Sequence, residues 1–269
     1  MTDEHLPYAP EPLDSIIAGV KPPPIPWLVR GLFPSGTLLE IAADPKTGKS
    51  FLALDLSLAI ITGTTFLGLP VEKQGPVVYF DEENSLPVLA ERVYALAKGR
   101  GINATDGLLH LFRFRCVGRE LREWVPKVAR VTAHIKPVLI VFDTLLKFTG
   151  GPVAGKENDS SLMQAVCSGM REVARSETAI FLHHLNKADK TPRGSSILVG
   201  DPDGVWKLTR MRGRPRHDQP LPSLLLNPTE SRLVDITRPI KVTTRGTKAC
   251  MTLEGEVTEP PQEEMGENE

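Results

Sequence analysis

The sequence has almost no net charge, few cysteines, no long apolar run and no internal repeat, and each absence removes a class of function. Lys and Arg number 32 against 33 Asp and Glu, a formal net charge of −1, so no global field draws the chain to nucleic acid and any polyanion contact must be local. Cys116, Cys167 and Cys250 are odd in number, far apart and without C-x-x-C spacing. That argues against a disulfide framework and against a zinc or redox motif; reduced structural thiols suit a cytoplasmic protein. No stretch reaches the roughly 18 consecutive apolar residues of a membrane helix. The N-terminus MTDEHLPYAPEP is acidic and proline-rich, unlike a signal peptide or an anchor.

What is present is an alternation of element types. A chain of 269 residues has room for one large domain or two small ones. Residues 1–30, with KPPPIPW at 21–27, read as an extended Pro-rich arm. From there to residue 217, short apolar runs alternate with helical stretches, the signature of βαβ units on a parallel sheet. The strand candidates are TLLEIA, PVVYFD, LHLFRF, PVLIVFD, TAIFLHH and GVWKLT. The helix candidates are KSFLALDLSLAIIT, LPVLAERVYALAKG, ELREWVPKVARVTAH and SLMQAVCSGMREVARS. Over 218–253, SLLLN, RLVDI and KVTT read as antiparallel strands that extend the same core. Residues 254–269, with seven glutamates in sixteen residues, read as a disordered acidic tail.

The loop ADPKTGKS follows TLLEIA and precedes a helix, the context that makes a phosphate-binding loop credible. Its residues Ala43, Asp44, Pro45, Lys46, Thr47 and Gly48, with Lys49, Ser50 and Phe51 at the helix start, form the nucleotide-binding set. Backbone N–H groups and the helix N-terminus cradle phosphates, Lys49 reaches the β and γ groups, and Ser50 supplies a hydroxyl to Mg2+. Ala43 stands where the pattern has its first glycine, a mild change because alanine loses only cheap access to positive φ. Asp143, at the end of PVLIVFD, fits a carboxylate that holds Mg2+ through water; its plainer reading is a helix cap. Glu83, in VVYFDEENS, fits a group that orients the attacking water, against a solvated acidic turn. At the tip of TAIFLHH, His183 and His184 are either a sensor of the γ-phosphate or histidines satisfied beneath a loop.

Together, ADPKTGKSFLALDLSLAI, FLGLPVEKQGPVVYFDEENS, VLIVFDTLLKF, FLHHLNK and RGSSILVGDPDGVWKL resemble the RecA-like P-loop ATPases of the group that includes RepA-type hexameric replicative helicases of plasmids and phages. The resemblance runs from about residue 25 to 210. It implies an α/β RecA-like fold, a mostly parallel sheet flanked by helices with antiparallel strands at one edge. It also implies ATP and Mg2+ as ligands, with Lys49 and Ser50 on them, Glu83 activating water, Asp143 as the Walker B carboxylate and His184 as the sensor. The partners it implies are single-stranded DNA and further copies of the chain in a hexameric ring, with no membrane.

Two departures from that group bear on mechanism. Asn84 stands where many relatives have a second acid. Asp203 stands where RepA-type helicases place an arginine that acts on the neighbouring subunit's site, a residue type worth about 10³ to 10⁵ in rate. Substitutes are close by in KLTRMRGRPRH, which holds Lys207, Arg210 and Arg212. That cluster has three readings: a finger acting in trans, contacts to a DNA backbone, or a solvated hairpin loop. KADKTPRGSSILVG, with Lys187 and Arg193, is either a channel loop touching single-stranded DNA or a polar connection. The expected function is an ATP-driven motor on single-stranded DNA; the rival is a regulatory switch ATPase that assembles but does not unwind.

Overall fold

The computed structural model describes residues 24–103, 110–116, 120–150, 159–185, 200–211, 219–232 and 238–258. A short hairpin, β1 (Trp27–Val29) and β2 (Phe33–Pro34), opens them. Next come β3 (Leu38–Ala43), α1 (Lys49–Thr62), β4 (Val77–Asp81), α2 (Leu86–Gly99) and β5 (Leu111–Phe114). They are followed by α3 (Leu121–Ile135), β6 (Leu139–Asp143), a 3-10 turn (Leu145–Phe148) and α4 (Ser160–Ala174). The chain then runs through β7 (Thr178–His184), β8 (Gly204–Arg210), β9 (Leu224–Ser231), β10 (Ile240–Thr247) and β11 (Cys250–Val257).

Nine of the described strands form one sheet in the order β11-β10-β9-β8-β3-β7-β6-β4-β5. From β8 to β5 all pairings are parallel, and β9, β10 and β11 add antiparallel strands at the other side. This is the expected RecA-like layout. β3, β4 and β6 are buried along their whole length, as central parallel strands covered on both faces must be. Leu39 and Ile41 of β3, Ile180 and Leu182 of β7 and Val141 of β6 face α1 and α2. Leu38, Phe80, Phe142 and Phe181 face Val125 and Val128 of α3 and Met163, Cys167 and Met170 of α4. The nearly all-round apolar α1 is buried accordingly, sandwiched between the sheet and neighbouring elements.

Two boundaries differ from the sequence expectation. The Pro-rich arm ends before Trp27, because Leu28 and Val29 are fully buried and Val29 bridges Val71; prolines flank the strand without preventing it. At the other end, Glu254, Gly255, Glu256 and Val257 belong to β11, paired along its length with β10, not to a tail. Met251 and Leu253 of that strand face the core while Glu254 and Glu256 are exposed, so the acidic residues mark the open face of an edge strand. The remainder of the arm and of the tail, and most of RLVDI, lie outside the described residues.

Candidate nucleotide site

The phosphate loop leaves the sheet at the end of β3. Ala43 is the last residue of that strand, buried, and its backbone is not among the positive-φ positions; alanine therefore fits without strain. Lys46 and Gly48 do take positive φ, 61° and 115°. At residue 48 this is the conformation that glycine alone adopts cheaply, and it turns the chain into α1. Thr47 and Lys49 are buried, and Ser50 is partly buried.

Lys49 Nζ donates to the carbonyls of Ala43 (3.1 Å) and Asp44 (3.3 Å) and lies 3.1 Å from Nδ1 of His184. Burial pulls the ammonium below its usual pKa, opposed by the carboxylates of Glu83, Asp143 and Asp44. Parallel pairing sets Ala43 beside His184 in register, which is how residues so distant in sequence meet. His183 points to the other face, where its Nδ1 sits 2.9 Å from Oε1 of Glu40 with both side chains fully buried. Of the two histidines, only His184 belongs to the site.

Glu83 Oε1 lies 3.8 Å from Nε2 of His184. The nearby His184 holds the Glu83 carboxyl below its usual pKa, against the effect of burial and with help from Lys49 and Lys147. Asp143 is fully buried at the end of β6, and Tyr79 Oη donates to its Oδ2 at 2.9 Å. Burial pushes Asp143 up to about 6, with hydrogen bonds from Ser50 and Tyr79 opposing and the charges of Glu83 and Asp81 adding. Its other oxygen, Oδ1, is buried without a hydrogen-bond partner at normal distance. Such an orphan needs a ligand or water, and with the Ser50 hydroxyl beside it the donor set suits Mg2+, which takes one carboxylate, a hydroxyl, waters and phosphate oxygens. The peptide bond between Asp143 and Thr144 is cis.

A cavity of 440 Å³ joins these parts, lined among others by Lys46, Lys49, Ser50, Glu83 and His184. Phe51, Arg92 and Leu221 also line it, with the Arg92 guanidinium 5.1 Å over the Phe51 ring. Sequence reading missed Arg92, Leu221 and Tyr79. Arg92 and Leu221 reach the cavity from separate elements, and Tyr79 looks like an ordinary core aromatic until its hydroxyl is seen to meet Asp143.

The basic candidates separate. Arg210 Nη2 donates to the carbonyl of Lys46 in its own phosphate loop. Lys207 pairs in register with Ala42, and since Trp206 and Leu208 face the α1 side, Lys207 faces away from it. Lys187, Arg193 and Arg212 lie outside the described residues. Asp203 sits at the opposite end of the sheet, before β8, where it is fully engaged. Its Oδ2 accepts from the N–H of Leu38 (2.8 Å) and from Arg171 (3.0 Å), its Oδ1 from Arg232 (3.3 Å). An aspartate is thus used there to clamp the sheet, remote from the phosphate loop.

A parallel sheet with a phosphate loop after β3, a carboxylate ending β6 and a polar tip on β7 defines a RecA-like P-loop ATPase. A family model described as an AAA domain matches residues 5–190, more than half of the chain, and the chain belongs to that family. The fold is similar to that of the KaiC-like protein PH0186 from the hyperthermophilic archaeon Pyrococcus horikoshii OT3, with a TM-score of 0.59 and 13% identity. The alignment covers 84% of this chain and 93% of that one. No helix among the described residues is long and apolar enough to cross a membrane.

Proposed function

We propose that the chain hydrolyses ATP as a RecA-like motor on single-stranded DNA, assembled as a ring, in the replication of a plasmid, phage or other mobile element. The observation that carries the hydrolytic part is the convergence of Lys49, Ser50, Glu83 and His184 at one cavity, with the buried Asp143 carboxylate acting on Lys49 and Ser50 from behind it. Lys49 exchanges the carbonyls of Ala43 and Asp44 for the β and γ phosphates, and the loop N–H groups bind phosphate oxygens. Ser50 and Asp143 are the residues to hold Mg2+, which when bound neutralises charge on those phosphates. Glu83 accepts a proton from water as its oxygen attacks the γ-phosphorus; the bond to the β–γ bridging oxygen breaks and ADP leaves with that electron pair. His184, hydrogen-bonded to Lys49 and close to Glu83, senses whether the γ-phosphate is present. Phe51, Arg92 and Leu221 give the base an apolar and cationic surface to stack on.

The DNA part rests on the sequence resemblance and on Lys187 and Arg193 in the segment that follows β7. A regulatory switch ATPase is the second reading. It is favoured by Asp203 in the finger register and by Arg210 being engaged with its own loop, both of which suit slow turnover. Phosphate release measured at low salt with and without single-stranded DNA separates the two. Stimulation supports the motor; unchanged turnover, with nucleotide-dependent assembly seen by light scattering, supports the switch.

A further inference from the structure

The turn that carries Glu83 is held from the edge of the sheet. Asp81, fully buried at the end of β4, accepts three hydrogen bonds at Oδ1. They come from the backbone N–H of Glu83 (3.3 Å), that of Asn84 (3.0 Å) and the Asn84 side-chain amide (2.9 Å). Its Oδ2 accepts from Nε (3.1 Å) and Nη2 (2.9 Å) of Arg113, and the same Nη2 donates to the Asn84 carbonyl at 2.9 Å. Arg113 comes from β5, where it stands opposite Tyr79 in register. Arg92 completes the set by donating to Asn84 Oδ1 at 2.9 Å.

All four polar groups of Asn84 are therefore engaged, and the set requires an amide. A side chain of this size must donate to Asp81 and accept from Arg92 at once, which only the neutral amide does. An aspartate at residue 84 would instead face the Asp81 carboxylate at hydrogen-bond distance, where two charges repel. The asparagine that looks in sequence like the loss of an acid is a structural partner of the acid three residues earlier.

We propose that Asp81, Asn84 and Arg113 are positioning residues that aim Glu83 at the attacking water. One carboxylate oxygen fixes the peptides before and after Glu83, and a charge-assisted fork from β5 fixes that carboxylate. The Glu83 side chain, 40% exposed, is thereby directed towards His184 and Lys49. This inference rests on the reading of Glu83 as the water-activating group.

The test compares kcat for ATP, equilibrium affinity for a fluorescent ATP analogue and thermal melting in the full chain. The variants are Asn84→Asp, Asn84→Ala, Arg113→Gln, Arg113→Lys and Glu83→Gln. Misaiming a catalytic group by about 1 Å is worth about 100-fold in rate. Asn84→Asp, Asn84→Ala and Arg113→Gln should therefore lower kcat about 10- to 100-fold while analogue affinity stays within about twofold, the signature of an interaction used only in the transition state. Arg113→Lys, which keeps the charge and loses the fork, should recover part of kcat. Wild-type kcat in the Asn84 and Arg113 variants overturns the proposal, and so does a parallel fall of kcat, affinity and melting temperature. If Glu83→Gln turns over at the wild-type rate, the assignment of Glu83 fails; if it is inactive while the other variants are normal, only the positioning role fails.

Discussion

Nζ of Lys49 and Nδ1 of His184 lie 3.1 Å apart, joining the phosphate loop to the tip of β7. An ammonium group only donates, so Nδ1 accepts and the imidazole proton sits on Nε2, the nitrogen that faces Glu83 at 3.8 Å. Lysine, histidine and glutamate thus form a line across the site. Replacing Lys49 by alanine removes the charge that meets the phosphates and opens this line. Turnover in Lys49→Ala should fall by at least about 100-fold, measured as phosphate release; unchanged turnover would remove the site assignment.

His184→Ala should move the acid limb of the rate profile to higher pH. The approach of His184 is the largest influence lowering the Glu83 pKa, and burial acts the other way. Without His184 the carboxyl binds its proton more tightly, so the ionised base is lost at a higher pH. The kcat profile across pH 4–8 reads this directly, and an unmoved limb would separate His184 from Glu83 functionally.

Asp143 carries a pH-dependent stability term of opposite sign to the usual surface carboxylate. Burial raises its folded pKa from 3.8 to about 6, so its contribution to stability is fully present below the unfolded value and is lost as pH rises through about 6. Asp143→Asn should therefore stabilise the nucleotide-free protein by about 2 to 3 kcal/mol at pH 8 and by about half of that at pH 5, while hydrolysis is lost. Urea denaturation at the two pH values gives the comparison, and a gain independent of pH would contradict the assignment.

Arg100 and Asp55 make a largely buried ion pair outside the site. Asp55, inside α1 and fully buried, accepts from Nε (2.6 Å) and Nη2 (2.5 Å) of Arg100. Burial raises the Asp55 pKa and Arg100 opposes it. Arg100→Met leaves that carboxyl without its partner, a change that costs about 3 kcal/mol. The urea midpoint should drop accordingly with analogue binding at the cavity retained.

Gly99 sets two effects against each other. Alanine is a better helix former by about 1 kcal/mol, but a Cβ here would lie 2.0 Å from the carbonyl oxygen of Met251 in β11. That neighbour is backbone and cannot swing aside, so the clash wins and α2 must lift from the antiparallel strands. Gly99→Ala should lower the melting temperature; a rise would show that the contact yields easily.

The helices at 49–62 and 86–99 and the strand at 178–184 carry their limits in the sequence. Their apolar content is strong, and in the sequence glycine or charged residues follow each one. The second half of β11 was concealed because an edge strand needs only one apolar face, and Glu254 and Glu256 look like the start of a tail when the partner strand is unseen. The core of the site was legible for a similar reason of locality: Lys49 and Ser50 open the helix after the phosphate loop, and Asp143 and His184 end strands, places where a motif and its position coincide. Tyr79, Arg92 and Arg113 were not, since each acts on a residue from another element. Asp203 shows the converse, where alignment to a pattern assigns a place in the sequence and the sheet puts that place at the far end from the chemistry.

Two glycines usually frame a phosphate loop, and this chain separates what each is for. Residue 43 ends a strand with its side chain turned into the core, so small apolar residues are interchangeable there. Residue 48 sits at φ 115°, which a β-carbon resists whatever the neighbours allow. Tolerance of substitution should therefore be lopsided across the loop, wide at its entrance and nil at its exit. A pattern that demands glycine at both ends confuses a packing position with a pivot.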